Sequence, residues 1–319
     1  RALDTVVMED INANLALLSV ADKRFWQDLK PLELATTNAI PLSRVIAVKI
    51  DDAFRVYREE ARIMEGIPDA DYGFAFLPVA VFRTSEPILS GVLFKEDLLV
   101  GFIGYADRDK KAEAIGVETI RAFLARQGPS YPGFVAQGLS LEPLTDPVLR
   151  SYYKLPAQRS GALVVRTLPH SSAHGVLQKQ DILLSVDGVA LDNRGFYLDP
   201  GIGRQPALML FALKGGQLRA PGETIPVVVW RNGKEQTLQM KLRSYSGQAE
   251  RIPWHVADQP EYLIENGLVF LELTIPYIRE VLGANWQSSP HHFNFLVREK
   301  RFYEDQEKDR PVILGSGLP

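Results

Sequence analysis

The sequence predicts a mainly β protein divided into two or three domains, and three observations carry that expectation. Its 319 residues exceed what one hydrophobic core ordinarily organises. Short apolar runs separated by polar or proline-containing turns recur along the chain, which is the pattern of antiparallel strands. Asn232 and Gly233 stand between two strand-like arms, Ile225 to Leu242, and supply the positive φ values of a type I′ hairpin turn.

In chain order, the first apolar runs are Leu15 to Val20, Val45 to Ile50, Gly73 to Phe82 and Leu98 to Ile103. Ala53 to Ile63 places Phe54, Tyr57 and Ala61 at helical spacing yet carries β-favouring Val56 and Tyr57, and propensity alone reads it as helix. The charged stretch Ala106 to Glu113 leads to a helix over Val117 to Ala125, whose Ile120, Phe123 and Leu124 form one stripe. Gly128 to Gly133, with two prolines and two glycines, reads as an interdomain linker. Beyond it come a strand near Gly138 to Leu141, a helix at Pro147 to Tyr153, strands at Ala162 to Leu168 and Ile182 to Val186, and a helix at Pro206 to Leu213. Val312 to Leu314 reads as a strand with nothing following to pair with it, and both chain ends read as cut.

Composition excludes several function classes. The apolar share is 46% and the charged share 24%, with a net charge of −3 and signs interspersed, so there is no basic footprint for a nucleic acid. Cysteine is absent, which removes disulfides, thiolate catalysis and cysteine-based zinc sites. No apolar run approaches the roughly 20 residues that cross a bilayer, and no charged-then-apolar leader opens the chain. No cofactor is expected: Gly201-Ile202-Gly203 lacks the third glycine of a dinucleotide loop and reads as a flexible insertion. No metal is expected either, because adjacent His291 and His292 diverge on a strand or a helix. The charged run Arg298 to Arg310 alternates in sign and reads as a solvated face.

The run from Gly161 to Gly188, GALVVRTLPHSSAHGVLQKQDILLSVDG, resembles the core of PDZ domains from the HtrA/Deg protease family. A β-run is followed by proline, small residues at Ser171 to Ala173, Leu177, Asp181, an apolar strand, and Asp187 with Gly188. Gln180 stands where the family carries a glycine before the aspartate, so the turn is expected to form without a free φ. The segment Ile252 to Gly283 resembles the opening of the second PDZ domain in the plant-type Deg branch, whose PDZ domains carry unusual insertions. The first hundred residues resemble the second half of the family's trypsin-like protease domain.

The resemblance implies a partial, degenerate trypsin-like β-barrel over residues 1–127, a PDZ domain with two helices over 134–245, and the start of a second PDZ-like domain over 252–319. The family's triad aspartate precedes a Leu-Ala-Leu-Leu run, and Asn14 holds that place before Leu15-Ala16-Leu17-Leu18. Ungapped alignment back from Val100 and Gly101 puts Leu89 at the nucleophile's position. A serine nucleophile needs an imidazole to take its proton, a carboxylate to orient that imidazole, and N–H groups to hold the oxyanion. The five histidines, at positions 170, 174, 255, 291 and 292, all lie beyond the linker. An asparagine does not stabilise an imidazolium as a carboxylate does, and leucine carries no nucleophile. The first module is therefore expected to be inactive.

A PDZ site needs main chain and a groove rather than titrating groups. The resemblance implies a carboxylate-binding loop at Ala136-Gln137-Gly138-Leu139, a receiving strand with Ser140 and Leu141, and a facing helix contributing Leu208, Phe211 and Ala212. Each of these apolar residues also reads as plain core. The implied partners are peptide or protein C-termini, unfolded proteins, and further copies of the chain assembled through the protease domain. A periplasmic or otherwise exported location is likewise implied by the family alone. An active serine endopeptidase remains the alternative, with Ser90 as nucleophile one residue out of register, its histidine upstream and Asp10 as the orienting carboxylate. A third reading makes the chain an assembly partner for an active paralogue.

Overall fold

The computed structural model of the chain describes residues 5–10, 12–51, 53–64, 77–86, 88, 90–106, 109–126, 131–244, 250–253, 261–282, 295–297 and 309–317. The chain divides into two compact units, Arg1–Thr167 with Ser171–Tyr245, and Leu168–His170 with Ser246–Pro319.

The first unit opens with the hairpin β1 (Thr5–Asp10) and β2 (Leu15–Ser19), then a single helical turn α1 (Lys23–Trp26). Strands β3 (Arg44–Ile50), β4 (Val56–Arg62), β5 (Val79–Arg83), β6 (Gly91–Lys95), β7 (Leu98–Ala106) and β8 (Lys111–Gly116) form one antiparallel sheet in the order β4-β3-β6-β7-β8-β5. The sheet curls back on itself, because Ile63 bridges Phe82 and the Met64 N–H donates to Val81 O at 2.7 Å. Val45, Ala47, Phe82, Leu93, Val100, Ile103 and Ala114 fill its interior.

The helical reading of Ala53 to Ile63 is corrected: β4 is a strand paired with β3 from Ile50↔Val56 to Arg44↔Arg62. Phe54 sits at φ +58°, which breaks helical register, and Asp51 Oδ1 accepts from the N–H groups of Ala53 at 3.0 Å and Arg55 at 2.8 Å to close a hairpin turn. Pairing along seven positions thus overrides a side-chain spacing that favours helix. Of the run Gly73 to Phe82, residues 73–76 lie outside the described residues and the strand begins at Val79.

Helix α2 (Val117–Ala125) occupies the predicted span and buries Val117, Thr119, Ile120 and Phe123. A distant asparagine supplies its cap: Asn38 Oδ1 accepts from the Glu118 N–H at 3.0 Å while Asn38 Nδ2 donates to Glu118 Oε2 at 3.0 Å. Of the linker, residues 128–130 lie outside the described residues.

A second sheet follows, of β9 (Leu139–Glu142), β10 (Ala162–Thr167), β11 (Ile182–Val186), β12 (Val189–Ala190), β17 (Thr224–Arg231) and β18 (Lys234–Lys241), in the order β18-β17-β11-β10-β9 with β12 on β11. Helix α3 (Pro147–Tyr152) starts on an Asp146 cap with proline in its first turn, and the residues flanking it, Leu144, Tyr153 and Leu155, pack on one sheet face, where Trp230 Nε1 donates to Tyr153 O at 3.0 Å. The opposite face carries the larger core of Val164, Leu183, Val186, Phe211, Val227, Val229 and Met240. Asn232 at φ +52° and Gly233 at φ +77° turn β17 into β18 through eight consecutive pairs, as the sequence predicts.

Between β12 and β17 lie the hairpin β13 (Phe196–Asp199) and β14 (Gly203–Pro206), helix α4 (Met209–Ala212), and the short pair β15 (Leu213–Lys214) and β16 (Gln217–Leu218). Gly201-Ile202-Gly203 is an ordered turn rather than a flexible insertion: Asp199 Oδ1 accepts from the N–H groups of Gly201 at 2.8 Å and Ile202 at 3.0 Å. The helix expected over Pro206 to Leu213 is only four residues long, because Pro206 pairs with Phe196 in one hairpin and Leu213 with Leu218 in the next.

The second unit carries β19 (Tyr262–Glu265), β20 (Leu268–Glu272), helix α5 (Ile275–Leu282) and β21 (Val312–Gly317). The strand expected at Val312 does have a partner, supplied from upstream: Phe270, Leu271 and Glu272 of β20 face Leu314, Ile313 and Val312. Residues 298–308 of the charged run, and His255, His291 and His292, lie outside the described residues. Arg310 pairs with Glu272 at 2.7 Å.

Candidate functional site

The edge strand β9 is the centre of the site. Its residues pair with β10 from Leu139↔Thr167 to Leu163↔Glu142, and no other described strand takes its outer edge. Leu139 is buried and Leu141 half-buried against the core, whereas Ser140 and Glu142 are exposed, so the strand alternates as a sheet edge over a core should. Such an edge offers a row of N–H and C=O groups to any extended chain laid beside it.

The loop before β9 is held by the small residues noted in the sequence. Ala136 donates its N–H to Arg243 O at 2.8 Å and accepts from Ser172 Oγ at 2.6 Å, while Gln137 O accepts from the Ala173 N–H at 3.0 Å. Ser171 Oγ donates to Gly138 O at 3.4 Å, and Gln137 Nε2 donates to Leu208 O at 3.4 Å, reaching across to the start of α4. Gly138 is buried at φ +64°, a conformation that suits glycine, and its N–H has no acceptor among the described residues. A main-chain donor held this way is suited to a carboxylate.

The facing wall is α4. Phe211 is 0% exposed and shares the core with Leu139, and Ala212 is also buried, which leaves half-buried Leu208 as the accessible member of the three helix residues. Arg219, which sequence reasoning missed, holds this short helix: its Nε donates to Leu210 O at 2.9 Å and its backbone N–H to Ala212 O at 2.8 Å. The buried guanidinium is neutralised by Asp187 at 2.5 Å and by Glu223. That hydrogen bond from Arg219 holds the Asp187 carboxyl below its ordinary value. An isolated arginine carries no sequence signal for such a role beyond the acid four residues on.

At the positions of the protease triad the geometry is different. Asn14 is exposed, at φ +52°, in the turn of the β1–β2 hairpin. Leu89 lies outside the described residues, and Ser90 is exposed on the bend entering β6. The next residue, Gly91, packs against β3, since a Cβ there would stand 2.4 Å from Val48 O. Asp10 is engaged: its Oδ1 accepts from the Ala13 N–H at 2.9 Å and its Oδ2 from the Tyr131 hydroxyl at 2.7 Å. Burial, and then this carboxylate, push the Tyr131 hydroxyl well above its usual range. Among the described residues no three His, Asp or Glu side chains gather as metal ligands would.

A family model of the PDZ domain matches residues 252–316. Putative protease Do-like 13 of Arabidopsis thaliana is 26% identical over 269 residues, covering 82% of this chain and 53% of the relative. Protease Do-like 4, mitochondrial, of the same plant is 25% identical over 294 residues, covering 85% of this chain and 52% of its own length. This chain is similar to HtrA/Deg proteases. The plant-type Deg branch fits, and the chain spans about half the length of the curated relatives it matches. Among solved structures, a variant of the HtrA-type protease AlgW with a decapeptide superposes with a TM-score of 0.53 at 16% identity, over 76% of this chain and 70% of that one. The fold is thus that of HtrA-type proteases: a curled, mainly β barrel sheet joined to a PDZ-containing region.

Proposed function

We propose that this HtrA/Deg relative is a peptide-binding protein whose module over residues 134–245 takes peptide or protein C-termini. The terminal carboxylate sits on the Gly138 N–H, the chain adds to the outer edge of β9 beside Ser140 and Leu141, and the last side chain enters between Leu139 and α4, with Leu208 at the mouth and Phe211 and Ala212 behind. The observation that carries the reading is the N–H of buried Gly138, which has no acceptor among the described residues, at the head of a strand edge that no described strand pairs. The partial barrel over 1–127 serves as scaffold without hydrolysing peptides, and 252–319 forms a second PDZ-like region. Support for lost hydrolysis comes from Asn14 and Leu89 at the triad positions and from the engagement of Asp10 by Ala13 and Tyr131.

Fluorescence anisotropy with ten-residue peptides ending in valine tests the binding. The full chain is expected to bind the free acid at least about tenfold more tightly than the C-terminal amide, since a charge-assisted hydrogen bond is lost. Equal binding of acid and amide contradicts the site. Unfolded casein is expected to survive incubation with the chain; cleavage that Ser90→Ala abolishes overturns the scaffold reading.

A further inference from the structure

The run Gly138 to Arg150, GLSLEPLTDPVLR, returns without a gap as Gly267 to Arg279, GLVFLELTIPYIR, in which Gly267, Leu268, Leu273, Thr274, Pro276 and Arg279 repeat the residues of the first copy. The backbone repeats with the sequence. Gly138 and Gly267 both hold positive φ, at +64° and +77°, and each opens a strand, β9 or β20, that leads to a short helix, α3 or α5. On β9, Ser140 and Leu141 face Arg166 and Val164 of β10, with a shift of register between them. On β20, the equivalent Val269 and Phe270 face Ser316 and Leu314 of β21, with a shift at the same place. The helix-side cores agree as well, since Leu144 is buried beside Leu163 of β10 and Leu273 beside Ile313 of β21.

The two copies part at the outer edge of the strand. No described strand pairs with that edge of β9, whereas on β20 the antiparallel strand β19 takes it, from Glu265↔Leu268 to Tyr262↔Leu271. Asn266 at φ +51° and Gly267 at φ +77° join the two strands in a tight two-residue turn, so the glycine that ends the loop before β9 in the first copy turns a hairpin in the second. We infer that β19 is a tethered occupant of the second unit's receiving edge: residues 262–265 stand where a peptide C-terminus would add to β20, and C-termini bind along β9 alone until that strand is displaced. A strand held by so short a turn competes at an effective concentration on the order of millimolar, against which a free peptide at micromolar level loses. This rests on the C-terminus-binding reading above.

The test maps cross-links between the full chain and a ten-residue peptide that ends in valine and carries a benzophenone side chain in its middle. In the unaltered chain the cross-links are expected within residues 134–212 and not along 267–273. Leu263→Pro removes a ladder hydrogen bond from the middle of β19 and is expected to add cross-links along 267–273. Affinity at the first module should stay within about twofold, as for a change at an independent site. Cross-links along 267–273 in the unaltered chain overturn the inference, and so does their absence there in Leu263→Pro. A second measurement depends neither on a ligand nor on the folding of that variant. The chain has no cysteine, and Ile264 faces Val269 in the non-hydrogen-bonded pair that follows the turn. Ile264→Cys together with Val269→Cys is therefore expected to close an intramolecular disulfide with oxidised glutathione; a bridge that fails to form overturns the placement of β19. Loss of the preference for free acid over amide overturns the groove on β9 and this inference with it, whereas cross-links that reach β20 of the unaltered chain with that preference intact overturn the tether alone.

Discussion

Gln180 holds φ at +77°, a left-handed conformation that favours glycine, immediately before the buried Asp181. The expectation that the turn would form without a free φ is therefore corrected: the backbone keeps the glycine geometry and the glutamine bears the strain. Its N–H donates to Val164 O at 2.9 Å, and Asp181 is clamped by Arg231, so the surrounding bonds outweigh the local cost. A left-handed side chain costs roughly 1–2 kcal/mol, partly offset by the entropy glycine loses on folding. Gln180→Gly is expected to stabilise the fold by roughly 0.5–1 kcal/mol in urea unfolding; a loss of stability would show the strain to be absent. Asn232-Gly233 was legible in the sequence because both residue types tolerate positive φ, and Gln180 was not, because nothing in glutamine announces it. Asp10 was legible as a carboxylate but not in its use, since its partner Tyr131 lies 121 positions away.

Elements with a local code were read correctly and those with a distant one were not. Helix α3 begins on Asp146-Pro147, and α2 carries its own apolar stripe, so both stood out. Helix α4 is cut to four residues by the hairpins on either side, and β4 is a strand because β3 pairs with it, neither of which a single window of sequence contains. The anchor of α4 is the Arg219–Asp187 pair, and Asp187 itself occupies a turn at φ +48° that asparagine adopts equally well. Asp187→Asn thus removes charge with little change of backbone. It is expected to cost about 2 kcal/mol at neutral pH, because a buried guanidinium loses one of its two carboxylates. Since folding lowers the Asp187 pKa, that contribution is present above its unfolded value near 3.8 and disappears as pH falls through the lower folded value. Parallel unfolding of the two proteins should show a gap at pH 7 that closes below about pH 4; a gap independent of pH would contradict an ionic origin.

Across the first unit, Met8 of β1 and Phe123 of α2 share an apolar cluster with Phe134, before β9, and Leu218 of β16. Arg126, at the end of α2, donates to Gly133 O at 3.2 Å and to Arg219 O at 3.4 Å, so the loop leading to Gly138 and the segment holding α4 are both tied to the barrel. The prolines and glycines near residue 130 mark a change of architecture, while the packing around them joins both sides in one compact unit. Order of motifs along the chain made the architecture readable; the contacts that position the groove come from residues far apart in sequence and carry no motif. The most direct test of the account is the amide signal of Gly138 in nitrogen-15 NMR of the full chain, titrated with a valine-ended peptide. The account predicts that this proton moves to lower field with the free acid and far less with the amide, with the peptide recovered intact. A Gly138 signal that stays in place while the peptide binds, or a peptide recovered in fragments, would contradict it.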